Sequence, residues 1–140
     1  MDKTLRILAV ILLIFLGVTS ILGGLGLMGD PTGAAIGIPA RLLEFTIFDN
    51  YLLPGIILFL SNGISSLVIA FLVIKKVSKY HLLIALQGLV LLGWLTVELL
   101  INLGFFYAPL HLTYYLVGIA LIAIGIWLGV VDPKKQIHIL

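Results

Sequence analysis

The sequence predicts an all-α fold: a polytopic membrane protein whose four transmembrane helices form one bundle, with a short exterior amphipathic helix between helices 1 and 2. Three observations carry this reading. Of 140 residues, 62% are hydrophobic and 10% charged, and the mean hydropathy is +1.30. An ordinary soluble domain holds about 45–50% apolar and about 25% charged residues, and a water-soluble globule of this length needs far more polar surface. Four long apolar runs occupy residues 7–28, 52–74, 82–103 and 110–131. The basic residues gather in those connections that a four-span chain places on one side.

Each run holds about 22 residues, enough at about 1.5 Å per residue to cross a hydrocarbon core of roughly 30 Å. None alternates with the two-residue period of a barrel strand. A spanning backbone must then satisfy its own hydrogen bonds as a helix. The four helices fill nearly the whole chain, so residues 1–140 read as a single domain without linker or low-complexity tract.

Helix 1 follows Lys3 and Arg6. A secretory signal also begins with basic residues, but this apolar core is longer than a usual h-region and Val18-Thr19-Ser20 is a poor cleavage site. A retained helix is expected. Its Gly17, Ser20 and Gly24 form one stripe of small residues, which lets a neighbouring helix approach closely.

Residues 29–50 form the longest connection. Gly-Asp-Pro-Thr-Gly at 29–33 reads as a helix stop or turn. Pro39 stands where a helix can start, and Leu42, Phe45 and Phe48 recur every three residues with Arg41 and Glu44 elsewhere on the wheel. That spacing predicts a short amphipathic helix lying in the outer interface or capping the bundle. Asp49 or Asn50 is placed to cap helix 2, whose first turn tolerates Pro54.

Helix 2 contributes Ser61, Asn62, Ser65 and Ser66, and helix 3 carries the densest polar pattern. Gln87, Leu91, Trp94, Glu98 and Asn102 follow one another at spacings of four, three, four and four, which places them on one face. An acid at mid-helix costs about 2.5–3.5 kcal/mol against lipid, so this face is expected to look into the bundle or a wet cavity. Glu98 lies six residues before Gly104, about 9 Å from the outer end, and its protonation state is left open. Asn62 starts at a depth close to that of Trp94. The residues Glu98, Trp94, Asn62, Gln87, Arg41 and His111 therefore form the candidate ligand-binding set. Interhelical hydrogen-bond glue, worth about 0.6–2 kcal/mol per residue, is the competing reading for Asn62 and Gln87. For Trp94 the competing reading is core packing.

The connection at 104–109 carries Phe105, Phe106 and Tyr107, as an interfacial aromatic belt does. Helix 4 begins near His111, for which an interfacial role is expected. It aligns Gly118, Gly125 and Gly129 on one face, which suits either packing within the monomer or a homodimer through Gly125 and Gly129. His81 and His138, among or after basic residues, are expected to be solvated.

Lys3 and Arg6 precede helix 1, Lys75, Lys76 and Lys79 join helices 2 and 3, and Lys134 and Lys135 follow helix 4, leaving only Arg41 opposite. The positive-inside rule then places both termini in the cytoplasm.

Several chemistries are excluded. Cysteine is absent, which removes disulfides, thiolate metal sites and cysteine nucleophiles. No His-x3-His or carboxylate cluster has metal-ligand spacing, and no phosphate loop joins a strand to a helix. The serines have no assigned base at their depth. A net charge of +2 is too small and scattered for a nucleic-acid partner. Neither a cofactor nor a metal is expected.

The run Arg41-Leu-Leu-Glu-Phe-Thr-Ile-Phe-Asp-Asn-Tyr-Leu-Leu-Pro-Gly55, followed by Gln87-Gly88 and Gly93-Trp94, resembles small four-helix bacterial membrane proteins to which no activity is assigned. The resemblance covers most of the chain and implies a multi-pass protein of the bacterial inner membrane. Small multidrug exporters also have four helices and an essential membrane acid, but theirs lies in the first helix, where this chain has none. The leading expectation is a non-enzymatic protein binding a membrane lipid, a small hydrophobic ligand or a partner membrane protein in an outward-facing cavity. The alternatives are a proton-coupled carrier using Glu98, and a lipid-modifying enzyme with Glu98 and His111 as acid and base. A single acid at one depth favours binding, because acid–base catalysis needs partners in hydrogen-bond reach.

Overall fold

A computed structural model describes residues 2–44 and 46–131. Phe45 of the expected amphipathic stripe, together with Lys134, Lys135 and His138, lies outside the described residues. Four helices dominate: α1 (Asp2–Gly29), α2 (Leu52–Ile74), α3 (Tyr80–Ile101) and α4 (Ala108–Val131). Each is long and apolar enough to cross a membrane, and by length and composition the chain is a multi-pass membrane protein. Only 28–33% of each apolar stretch is buried within the chain. The rest, including Leu22, Leu116 and Val130, forms a surface suited to lipid.

The helices pair as two hairpins, and glycines set both pairings. A Cβ on Gly24 of α1 would stand 2.7 Å from the Phe59 Cβ and 2.8 Å from the Gly55 carbonyl oxygen of α2. Between α3 and α4, a Cβ on Gly88 would stand 2.7 Å from the Gly118 carbonyl oxygen. Backbones this close gain van der Waals contact, the main attraction between helices in lipid. Gly125 and Gly129, offered by the sequence to packing or to a second copy, lie against α3 of the same chain. A Cβ on Gly125 would meet the His81 carbonyl oxygen and Ala85, and one on Gly129 the His81 ring.

The hairpins join at the end that carries residue 2 and the turn at 75–79, here termed the loop end. There Ala9 and Leu13 of α1, Val73 of α2, Ile84 of α3, and Leu121 and Leu128 of α4 fill the interior with essentially no exposure. The turn is tight enough to hold Lys76 and Lys79 at φ 55° and 57°, a left-handed backbone that non-glycine residues rarely adopt.

At the opposite, capped end, residues 30–51 fold back over the bundle. Asp30 ends α1: one carboxylate oxygen accepts from the Thr32 amide (3.2 Å) and hydroxyl (2.7 Å), the other from the Ala35 amide (3.0 Å). These bonds, led by that from the Thr32 hydroxyl, hold its carboxyl below the usual carboxylate range. Gly33 has φ +83°, and a Cβ there would strike the Ile38 carbonyl oxygen and the Tyr51 ring, so only glycine fits. The Tyr51 hydroxyl donates to the Pro39 carbonyl at 2.7 Å, latching the segment. Where the three-residue spacing predicts an amphipathic helix over Arg41–Phe48, the described backbone forms only a 3-10 turn, Ala40–Leu43. Its Leu42 and Leu43 are buried. Thr46 competes with helix continuation: its hydroxyl donates to the Leu43 carbonyl at 2.6 Å and accepts from the Phe48 amide at 3.1 Å. Tyr51, rather than the expected Asp49 or Asn50, takes the N-cap position of α2, and Asn50, one residue ahead, accepts from the Leu52 amide at 2.9 Å.

Helix α2 is not uniform. Residues Phe59–Ile64 form a π turn within it. A π turn adds one residue to the α ladder and loosens its carbonyls, which frees them for outside partners.

Candidate functional site

From the filled loop end toward the capped end the two hairpins part, and a cavity of about 500 Å³ opens between them. Pockets that hold drug-sized ligands span about 300–1,000 Å³. Small residues make the space: Ser20 and Gly23 of α1, Ser61 of α2 and Gly93 of α3 line it. Leu27, Pro54, Ile57 and Leu91 add apolar wall, and Ile38, Leu43, Phe48 and Tyr51 form the roof with Phe105 beside them. The ring of Phe105 meets that of Tyr51 edge-on, 6.2 Å between centroids.

The two sides of the cavity differ. Between α1 and α4 it is closed, because the Tyr114 hydroxyl donates to Thr19 Oγ1 at 2.6 Å and the Tyr114 ring stacks on Phe15 at 5.8 Å. Between α2 and α3 it is open. Ile57, Gly93 and Val97 line the cavity and are exposed, as are Ile36 and Leu110 at the capped end, and a Cβ on Gly93 would meet nothing within 4 Å. That opening faces the surface suited to lipid.

Below the cavity sits a polar node. Gln87 Nε2 donates to the Ser61 carbonyl (3.0 Å) in the π turn and to Asn62 Oδ1 (3.3 Å), while Gln87 Oε1 accepts from the Ser65 hydroxyl (2.8 Å). Asn62 Nδ2 donates to Ser61 Oγ at 3.2 Å. Gln87 and Asn62 are fully buried, so the amide on α3 and the loosened turn on α2 satisfy each other where no water can.

Among the described residues Glu98 is the one acidic residue of the cavity wall. It is half-buried, and its carboxyl makes no hydrogen bond or ion pair among the described residues. The effect of its charge is felt at Tyr51: burial first, and the Glu98 carboxylate second, push the Tyr51 phenol above its usual pKa. The phenol thus stays protonated and keeps donating to Pro39.

The six residues predicted from sequence separate into three groups. Glu98 and Trp94 line the cavity. Asn62 and Gln87 bond each other beneath it and reach it through Ser61. Arg41 and His111 are not among the lining residues. Arg41 is exposed on the 3-10 turn, where its charge stays hydrated. His111 is buried at 1% exposure, and its Nδ1 accepts from the Tyr107 amide at 3.1 Å, closing the first turn of α4. Its Nε2 has no hydrogen-bond partner among the described residues. Asn102, expected on the Glu98 face, falls just beyond α3, accepts from the Gly104 amide at 2.8 Å and donates to the Leu42 carbonyl at 3.3 Å.

Tyr51, Tyr114 and Ser20 belong to the cavity without having been singled out as site residues. Ser20 carried a signal, the small-residue stripe of helix 1, which reads equally well as packing. Tyr114 carried only the general one, that a tyrosine within an apolar helix needs a partner for its hydroxyl. Among the described residues no cluster of three His, Asp or Glu is placed to hold a metal ion.

No family model matches this chain, and neither a curated protein nor a solved structure matches it.

Proposed function

We propose that the chain is a non-enzymatic protein of a bacterial inner membrane that binds a bilayer-derived hydrophobic ligand, a lipid or a small apolar molecule, between its two hairpins. The observation that carries this reading is the cavity of about 500 Å³, walled by apolar side chains, open toward lipid at Gly93 and holding one unpartnered carboxyl. An apolar space of this size offers water few polar partners. Apolar material from the bilayer therefore belongs in it. Catalysis by Glu98 and His111 is disfavoured, because acid–base work needs both groups within reach of one ligand and only Glu98 lines the cavity.

The unpartnered state of Glu98 also favours a second reading, a proton-coupled carrier. Mass spectrometry of ligand retained by gently purified protein separates the two, read with thermal melts of wild type, Glu98→Gln and Glu98→Leu. Binding alone predicts that Glu98→Gln keeps the fold and retains less ligand. The carrier predicts that ligand stays bound while pH-dependent transport is lost. If both variants match wild type in melting and in bound ligand, the assignment of Glu98 to the site is wrong.

In this reading the termini are cytoplasmic and the 30–51 roof is exterior, supported by the partition of basic residues. Cysteines placed singly at the exposed Ala35 and Lys75 are expected to react with an impermeant thiol reagent in intact cells at Ala35 only. Labelling at Lys75 but not Ala35 inverts the topology.

A further inference from the structure

The ligand class follows from what the cavity wall offers and what it lacks. Resting on the binding reading above, we infer that the cavity takes a hydrophobic amine: a single apolar body carrying one protonated nitrogen, which pairs with the Glu98 carboxylate.

Charge is the first argument. Among the described residues Glu98 is the one formally charged side chain on the wall, and no Lys, Arg or His lines the cavity. The nearest titratable lining groups, Tyr51 and Tyr114, are phenols whose hydroxyls already donate to Pro39 and Thr19. The carboxyl therefore has neither a counter-charge nor a committed donor among the described residues. A protonated amine supplies both, through charge-assisted N–H bonds about twice as strong as neutral ones.

Shape and surroundings give the second argument. Five aromatic side chains among the described residues line the same cavity: Phe48, Tyr51, Trp94, Phe105 and Tyr114. Aromatic faces attract a cation held within about 6 Å and offer apolar area to the rest of the ligand. Their faces offer a carboxylate head no such attraction, and Glu98 would repel it. A phospholipid headgroup is matched poorly as well, since its phosphate would find no cation on the wall. Access by way of the bilayer suits such a molecule, whose body partitions into lipid and reaches the gap at Gly93 from the side.

The test uses Trp94 as the reporter. The chain holds two tryptophans, and Trp127 is exposed on the lipid-facing surface at 48%. In the Trp127→Phe background, Trp94 emission reads occupancy of the cavity wall directly. Full-length protein in a neutral maltoside detergent at pH 7, where an alkylamine is protonated, is titrated with dodecylamine, dodecanol and dodecanoate, and again after adding Glu98→Gln. In the wild-type cavity dodecylamine is expected to half-saturate the signal at about tenfold lower concentration than dodecanol, with dodecanoate weakest. Glu98→Gln is expected to bring amine and alcohol together while leaving the alcohol curve in place. Equal curves for amine and alcohol in the wild-type cavity, or an amine preference that survives Glu98→Gln, overturn the inference and leave hydrophobic binding standing. If none of the three compounds moves Trp94 emission, hydrophobic binding fails too.

Discussion

The same four helices build two unlike halves. At the loop end, Leu13, Ile84 and Leu121 meet at 0% exposure and the hairpins close on one another. At the capped end Ser20, Gly23, Ser61 and Gly93 line the space instead, and the hairpins enclose about 500 Å³. Within each hairpin, glycines hold the backbones together at Gly24 and Gly88, so helix pairing does not depend on what fills the space between the pairs. Small residues thus do two opposite jobs. Facing the partner helix they bring backbones into contact, and facing the other hairpin they leave room.

This contrast is broken most severely at the close contacts. Gly24→Leu drives a side chain into Phe59 and the Gly55 carbonyl and is expected to cost about 3 kcal/mol or more. Gly93→Ala, in open space, is expected to stay within about 0.5 kcal/mol of wild type. Thermal melts in detergent compare them, and equal losses would mean that the two glycines are not functionally distinct. Next in size is the contrast between filled and hollow halves. Leu121→Ala is expected to cost about 3 kcal/mol, near the middle of the range for leucine truncation in a packed core, whereas Ile57→Ala on the cavity wall costs less than about 1 kcal/mol because its neighbours already have space.

The boundary between the halves is the Gln87 node. Gln87→Leu leaves the Ser65 hydroxyl, the Ser61 carbonyl and the Asn62 amide oxygen short of a partner, and a loss of about 1–2 kcal/mol is expected. The smallest effect belongs to the roof. Tyr51→Phe removes the bond to Pro39 and is expected to cost about 1 kcal/mol. Because the folded Tyr51 holds its proton above the usual phenol pKa, its contribution is fully present below about pH 10 and is lost as pH rises through the folded value. The gap in melting between wild type and Tyr51→Phe should narrow above pH 10 and hold constant below it.

The spans were legible because apolar length is a one-dimensional signal. The run at 52–74 coincides with Leu52–Ile74, and the others differ from their helices at the ends. That Asn62 and Gln87 could serve as interhelical hydrogen-bond glue was legible too, but the depth count set Asn62 level with Trp94, whereas its partner is Gln87, two turns further down. Asn102 was misplaced because its spacing from Glu98 fits a helix that in fact ends at Ile101, where local bonds to Gly104 and Leu42 take over. Arg41–Phe48 has helical spacing, but the Thr46 hydroxyl claims the backbone around it. The π turn had no sequence signature, and the polar face of helix 3 pointed to a cavity without giving its size or its apolar lining. A small residue facing a neighbour reads the same whether the neighbour is near or absent.

In the proposed binding reading the capped half is filled from the bilayer, by way of the open position at Gly93. Native mass spectrometry of gently purified wild type and Gly93→Trp, with thermal melts alongside, tests this. Wild type is expected to carry a retained hydrophobic adduct. Gly93→Trp, its indole plugging the gap between α2 and α3, is expected to melt like wild type and to lose most of that adduct. An adduct of the same mass and occupancy in both proteins, or no adduct in either, would contradict the claim.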